Sequence, residues 1–117
     1  MRAKPKKKPK KAFGFDSEKD LFMYLWDNSD HKCRVSGKTL DMFFGTTRFW
    51  SMFAHILPKG RYPEYRLNPD NVWIVHPDIH DLFDNRSREM QDASGYDFNP
   101  LRQKKEQLKA DYYENYS

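Results

Sequence analysis

Three polar residues stand out by type and order: His55, Asn71 and His80, separated by 16 and then nine residues. Cutting a phosphodiester needs a base that takes a proton from water. It also needs positive charge near phosphorus, where the transition-state oxygens gather negative charge. An imidazole suits the base, because its unperturbed pKa of about 6.5 lies close to working pH. A second imidazole can hold a divalent cation, and an asparagine can orient the base or brace a loop. Asp84 stands four residues after His80, on the same face if that segment is helical. Lys59, Arg61 and Arg66 sit between His55 and Asn71, where they could contact phosphate.

These residues need elements to hold them. Phe49 to Leu57 is rich in aromatic and apolar residues and reads as a strand ending near His55. Pro58, Gly60 and Pro63 break the chain into a basic loop, and Asn68-Pro69-Asp70 makes a second turn. Val72 to Val75 is a short β-branched run that reads as the partner strand. Pro77 suits the first position of a helix, predicted to run to about Arg88. The centre, about residues 49–88, is thus strand, basic loop, strand, helix. Around it, Asp16 to Asn28 reads as a helix with Asp16 or Ser17 as its cap, and Leu21, Phe22, Leu25 and Trp26 form its apolar face. Ser36-Gly37-Lys38 signals a turn, and residues 85–99 are polar and read mostly as loop. Pro100 to about Tyr113 reads as a final helix, with Leu101, Leu108 and Tyr112 on one side. Trp50 and Trp73 are expected in the core and His31 on the surface.

Composition narrows the class. A chain of 117 residues is long enough for one domain, and 16% of its residues are aromatic. Mean hydropathy is −1.03. No apolar run approaches the roughly 20 residues that span a bilayer, so no membrane partner is expected. The basic start lacks a following hydrophobic segment, so it does not read as a secretory signal. Cys33 is the single cysteine, which excludes an intrachain disulfide and suits a reducing, cytoplasmic compartment. The formal charge is +4, but residues 1–11 carry seven basic residues and no acid. Residues 1–13 are therefore expected to be a disordered basic tail. The tail either attracts phosphate by counterion release or simply aids solubility. Residues 14–117 form the expected single domain.

Ala54-His55-Ile56-Leu57-Pro58-Lys59-Gly60, then Asn71-Val72-Trp73-Ile74-Val75, then His80-Asp81-Leu82-Phe83-Asp84 resembles the HNH endonuclease pattern. Val35-Ser36-Gly37-Lys38, Phe53-Ala54-His55 and Tyr65-Arg66-Leu67-Asn68 resemble small HNH proteins of bacteriophages, and the likeness covers about residues 33–84. It implies an α+β fold with a ββα-metal core, an N-terminal helix and a C-terminal helix. It implies His55 as general base, Asn71 as the positioning asparagine and His80 as a metal ligand, with Asp84 at a second ligand place. The implied cation is Mg²⁺ or Mn²⁺, with Zn²⁺ or Ni²⁺ in some relatives. The implied reaction is hydrolysis of DNA, by nicking or double-strand cleavage, to a 5′-phosphate and a 3′-hydroxyl. A phage protein would act in the host cytoplasm. The expected partner is DNA rather than a small-molecule substrate.

Two departures from the pattern matter. Many members carry a metal-ligating Asp or His just before the base, where this chain has Ala54. Many also hold a structural zinc with two CxxC pairs; the matching positions here are Cys33, Ser36, His76 and Ile79. Only Cys33 and His76 can ligate, short of the four ligands zinc prefers, so no structural zinc is expected. His76 is kept as a further candidate ligand for the divalent metal. The alternatives are a catalytically impaired HNH-fold module that binds DNA or protein, for which Ala54 argues, and an RNA- or ribosome-associated basic protein, which the Lys-rich start would allow.

Overall fold

Helix α1 (Glu18–Asp27) begins where Ser17 can cap it: the hydroxyl accepts the Asp20 N–H at 3.1 Å, and Glu18 and Asp20 place negative charge on the first turn. The computed structural model describes residues 13–116. Leu21, Phe22 and Trp26 of α1 are buried, as their helical spacing predicts, and Leu25 is partly so. The turn at Ser36-Gly37-Lys38 is present, with Gly37 at φ +76, a left-handed conformation that glycine adopts without strain. His31 is not simply an exposed residue: its ring stacks on Trp26 at 3.8 Å and its Nδ1 lies 2.7 Å from Asp41 Oδ1.

The expected strand from Phe49 to Leu57 is mostly something else. Thr47–Met52 forms a 3₁₀ helix, and the strand β1 is confined to Phe53–His55. Phe49 and Met52 are the buried residues of that helix, three apart, which is the 3₁₀ repeat and not strand alternation. Trp50 accordingly faces out, 42% exposed, instead of joining the core. Trp73 is buried as expected.

Strand β2 (Val72–Ile74) pairs antiparallel with β1 in the register Phe53–Ile74, Ala54–Trp73 and His55–Val72. Three residue pairs do not make a ribbon that stands alone. It is held by packing from outside: the Phe22 ring of α1 stacks on Phe53 at 4.5 Å and 2°. The Arg34 N–H donates to Ile74 O at 3.0 Å. One hydrophobic cluster runs from Leu21 through Leu40, Met52, Ala54 and Leu57 to Leu108.

Helix α2 (Pro77–Asn85) starts at Pro77, as predicted, but ends three residues early. Ser87 breaks it by capping a new helix, α3 (Arg88–Ala93), its hydroxyl accepting the Met90 N–H at 3.2 Å. Residues 85–99 are therefore not mostly loop. The last helix, α4 (Asn99–Tyr116), is longer at both ends than its sequence pattern predicts and buries Leu101 and Leu108. The architecture is α+β: a two-stranded antiparallel sheet surrounded by helices. The basic tail expected over 1–13 lies outside the described residues except for Phe13, whose ring sits edge-on to Tyr65 at 6.1 Å and so belongs to the packed fold. Among the described residues, no helix is long and apolar enough to cross a membrane.

Candidate active site

His55 ends β1, where the alternation of the strand puts Phe53 and His55 on one side and Ala54 on the other. Phe53 and His55 line a cavity of about 600 Å³, and Ala54 is fully buried away from it. Glu18 and Phe22 of α1 form one wall, the loop residues Pro58, Lys59 and Gly60 another, and His80, Phe83 and Asp84 of α2 a third. The first turn of α2 thus brings the second imidazole into the same cavity as the first.

The His55 Nε2 lies 2.8 Å from the Arg66 backbone oxygen. A carbonyl only accepts, so Nε2 carries the ring's proton and donates it. In the neutral imidazole the lone pair is then on Nδ1, which has no hydrogen bond among the described residues. Burial pushes the His55 pKa down, aided by the positive charges of Lys59 and His80; it outweighs the opposing Arg66 hydrogen bond and Glu18 charge. The ring is therefore neutral and able to take a proton near neutral pH.

His80 is fixed by the same device with the nitrogens exchanged. Its Nδ1 donates to Ser51 O at 2.6 Å, which leaves Nε2 beside Asp84 Oδ2 at 2.8 Å. Burial alone would lower its pKa, but the Asp84 hydrogen bond and charge, with the Ser51 carbonyl, raise it above the ordinary histidine value. The two imidazoles are thus shifted in opposite directions, burial prevailing at His55 and the Asp84 and Ser51 partners at His80.

Asn71 is fully buried and ties the loop between the strands to itself. Its Oδ1 accepts the Leu57 N–H at 2.8 Å, and its Nδ2 donates to Leu57 O at 3.1 Å and Tyr65 O at 3.2 Å. The second of these oxygens is one residue before Arg66, whose carbonyl holds His55. Asn71 therefore acts on His55 through the loop, without touching it.

Of the three loop cations, Lys59 and Arg66 converge on Glu18, at 2.8 and 3.5 Å. Burial opposes ionisation of Glu18, but the Lys59 hydrogen bond and the charges of Lys59, His55 and Arg66 prevail and hold its carboxyl below the usual range. Arg61 is exposed and outside the cavity lining. His76 also lies outside it: it stands at the N-cap of α2, with Nδ1 accepting the Asp78 N–H at 3.0 Å and its ring edge-on to Phe43 at 5.2 Å. Cys33 is buried, its Sγ accepting the Ser36 N–H at 3.3 Å, and Ile79 is packed in the core.

His80 Nε2 and Asp84 Oδ2 are a donor pair that fits a divalent cation, one imidazole and one carboxylate on successive turns of α2. Among the described residues no cluster of three or more His, Cys, Asp or Glu side chains gathers for a metal. Water and substrate phosphate oxygens commonly complete such sites. Glu18, Trp50 and Lys105 also line the cavity, although the sequence does not mark them as site residues and places Trp50 in the core. Glu18 reads there as an ordinary first-turn acid, since nothing links it to Lys59, 41 residues away. The chain has no match among protein-family models, curated proteins or solved structures.

Proposed function

We propose that this protein is a divalent-metal-dependent endonuclease of the HNH type, hydrolysing DNA phosphodiester bonds, with the ββα-metal core formed by β1, β2 and α2. One observation carries the reading. Two imidazoles share one cavity, each anchored through one ring nitrogen to a backbone carbonyl; the other nitrogen of His55 is unengaged among the described residues, and that of His80 is paired with the Asp84 carboxylate.

In this reading Nδ1 of His55 takes a proton from a water molecule, and the oxygen so freed attacks phosphorus. The P–O3′ bond breaks, leaving a 5′-phosphate on one fragment and, once the leaving oxygen is protonated by solvent, a 3′-hydroxyl on the other. Asn71 keeps the loop that fixes the His55 tautomer. His80 and Asp84 would hold the cation, which when bound supplies positive charge to the developing phosphate oxygens. Lys59 and Arg66 supply positive charge at the loop side, where a phosphate would compete with the Glu18 carboxylate.

The test is plasmid cleavage with Mg²⁺ or Mn²⁺, with and without chelator, for wild type and His55→Ala. Chelator-sensitive nicking that the substitution reduces by about a hundredfold or more supports the enzyme. A second reading, a DNA- or protein-binding module with an impaired site, draws on Ala54, which offers no donor. Retardation of DNA in a gel without cleavage in any of Mg²⁺, Mn²⁺, Ni²⁺ or Zn²⁺ would favour it.

A further inference from the structure

A second cavity, about 660 Å³, adjoins the first and shares Phe83 and Lys105 with it. It lies between α3 and α4. Its cations are Arg88, Arg102, Lys105 and Lys109, against the single acid Glu106. Arg102 is committed to the groove floor: it donates to Gln91 Oε1 at 2.8 Å, to Asp92 Oδ1 at 3.1 Å and to Asn99 Oδ1 at 3.2 Å. Gln91, itself buried, donates to Leu82 O at 3.0 Å, so the floor is tied to the end of α2. The other cations are less engaged. Lys109 is 3.8 Å from Glu106, Lys105 stands 5.6 Å from the centre of the Phe83 ring, and Arg88 has no ion pair among the described residues.

Positions 102, 105 and 109 recur at three and four residues and share one face of α4. They span about 10 Å at 1.5 Å per residue, or about three nucleotides of a duplex strand at 3.4 Å each. The groove is cationic, four basic side chains against one acid, and Phe83 is the one hydrophobic residue in its lining, which suits an anionic ligand. We infer that the groove between α3 and α4 holds successive phosphates of the substrate strand as it leaves the cavity containing His55, with Lys105 at the junction and Arg88 and Lys109 beyond it. This rests on the nuclease reading for the identity of the strand, not for the charge of the groove.

The experiment uses the full chain. Arg88→Gln/Lys109→Gln removes two cations that lie outside the catalytic cavity, and Glu106→Lys adds one. Binding of a fluorescent 30-base-pair DNA, in chelator so that nothing is cut, is titrated against salt. Loss of two phosphate contacts should weaken binding at 0.15 M salt by about thirtyfold and lower the slope of log Kd against log salt by about 1.8. Glu106→Lys should tighten binding several-fold. Hydrolysis of bis(p-nitrophenyl) phosphate, too small to span the groove, should be unchanged in both variants. Affinity within twofold of wild type and an unaltered slope in both variants would overturn the inference. So would tighter capture of poly-glutamate than of DNA. Failure of wild type to cleave either substrate in any metal would sink the nuclease reading instead, and the binding arm would still decide the groove.

Discussion

Asn71→Ala should cost this protein much of its stability. The substitution strips a fully buried amide of three hydrogen bonds and leaves the Leu57 N–H facing no acceptor. An orphaned buried donor costs about 1–3 kcal/mol, and each of the two lost bonds to carbonyls about 1 kcal/mol more. The expected loss is therefore about 3–5 kcal/mol, against a whole-domain stability of about 5–15 kcal/mol. Urea unfolding followed by the fluorescence of Trp26, Trp50 and Trp73 measures it. With a slope of about 1.5–2 kcal/mol per molar, the midpoint should fall by about 2 M with the slope unchanged. Cleavage assayed below the new transition should fall as well, because the loop that carries the Arg66 carbonyl loses its anchor and His55 its fixed tautomer. A midpoint shift under about 0.5 M would refute the argument that this side chain holds the loop. A full shift in stability with cleavage untouched would refute the link from the loop to His55.

Four further outcomes are expected. In the proposed mechanism His55 acts unprotonated, and its pKa is depressed, so kcat/KM should rise with pH through a midpoint below 6.5 and level off near neutrality; an acid limb centred above 7 would contradict the burial argument. Glu18→Gln removes one group that favours protonated His55, so the same limb should move further down, which the same profile tests. Asp84→Ala should raise the metal concentration for half-maximal cleavage by about tenfold or more while sparing the fold, read by activity against Mn²⁺ and by circular dichroism; an unchanged metal requirement would remove Asp84 from the site. Tyr112, bonded to Glu64, has its pKa pushed up to about 12 by burial and that carboxylate. The folded state thus keeps a proton the unfolded chain gives up near 10, and its contribution to stability should persist below 10 and be lost as pH rises towards 12; absorbance titration at 295 nm should show this tyrosine ionising late, and Tyr112→Phe should remove that step.

What the sequence reveals here is decided by how local the cause is. Ser17, Pro77 and the Val72–Val75 run act on their nearest neighbours, and the elements they imply are present. The segment 47–52 misleads because aromatic content resembles a strand, while the packing of Phe49 and Met52 obeys a period of three. Helix α3 hides because Asn85-Arg86-Ser87 looks like a turn, and its Ser87 cap resembles any loop serine. At the site, His55, Asn71, His80, Asp84 and Lys59 were legible as residue types in order. Their hydrogen-bond partners were not, since Arg66 and Ser51 contribute only backbone oxygens and any residue has one of those. Nor was Glu18 legible, because its partners depend on how α1 crosses the loop.

Both imidazoles are oriented by the peptide backbone, and this separates two kinds of drift. The identity of residues 51 and 66 can change through evolution without disturbing either ring, so long as the chain keeps its path. Arg66 in particular could be exchanged for a residue that no longer pairs with Glu18 while its carbonyl goes on holding His55. Under the proposed nuclease function, an engineer wishing to alter contacts with the target strand while keeping the orientation of His55 would begin there.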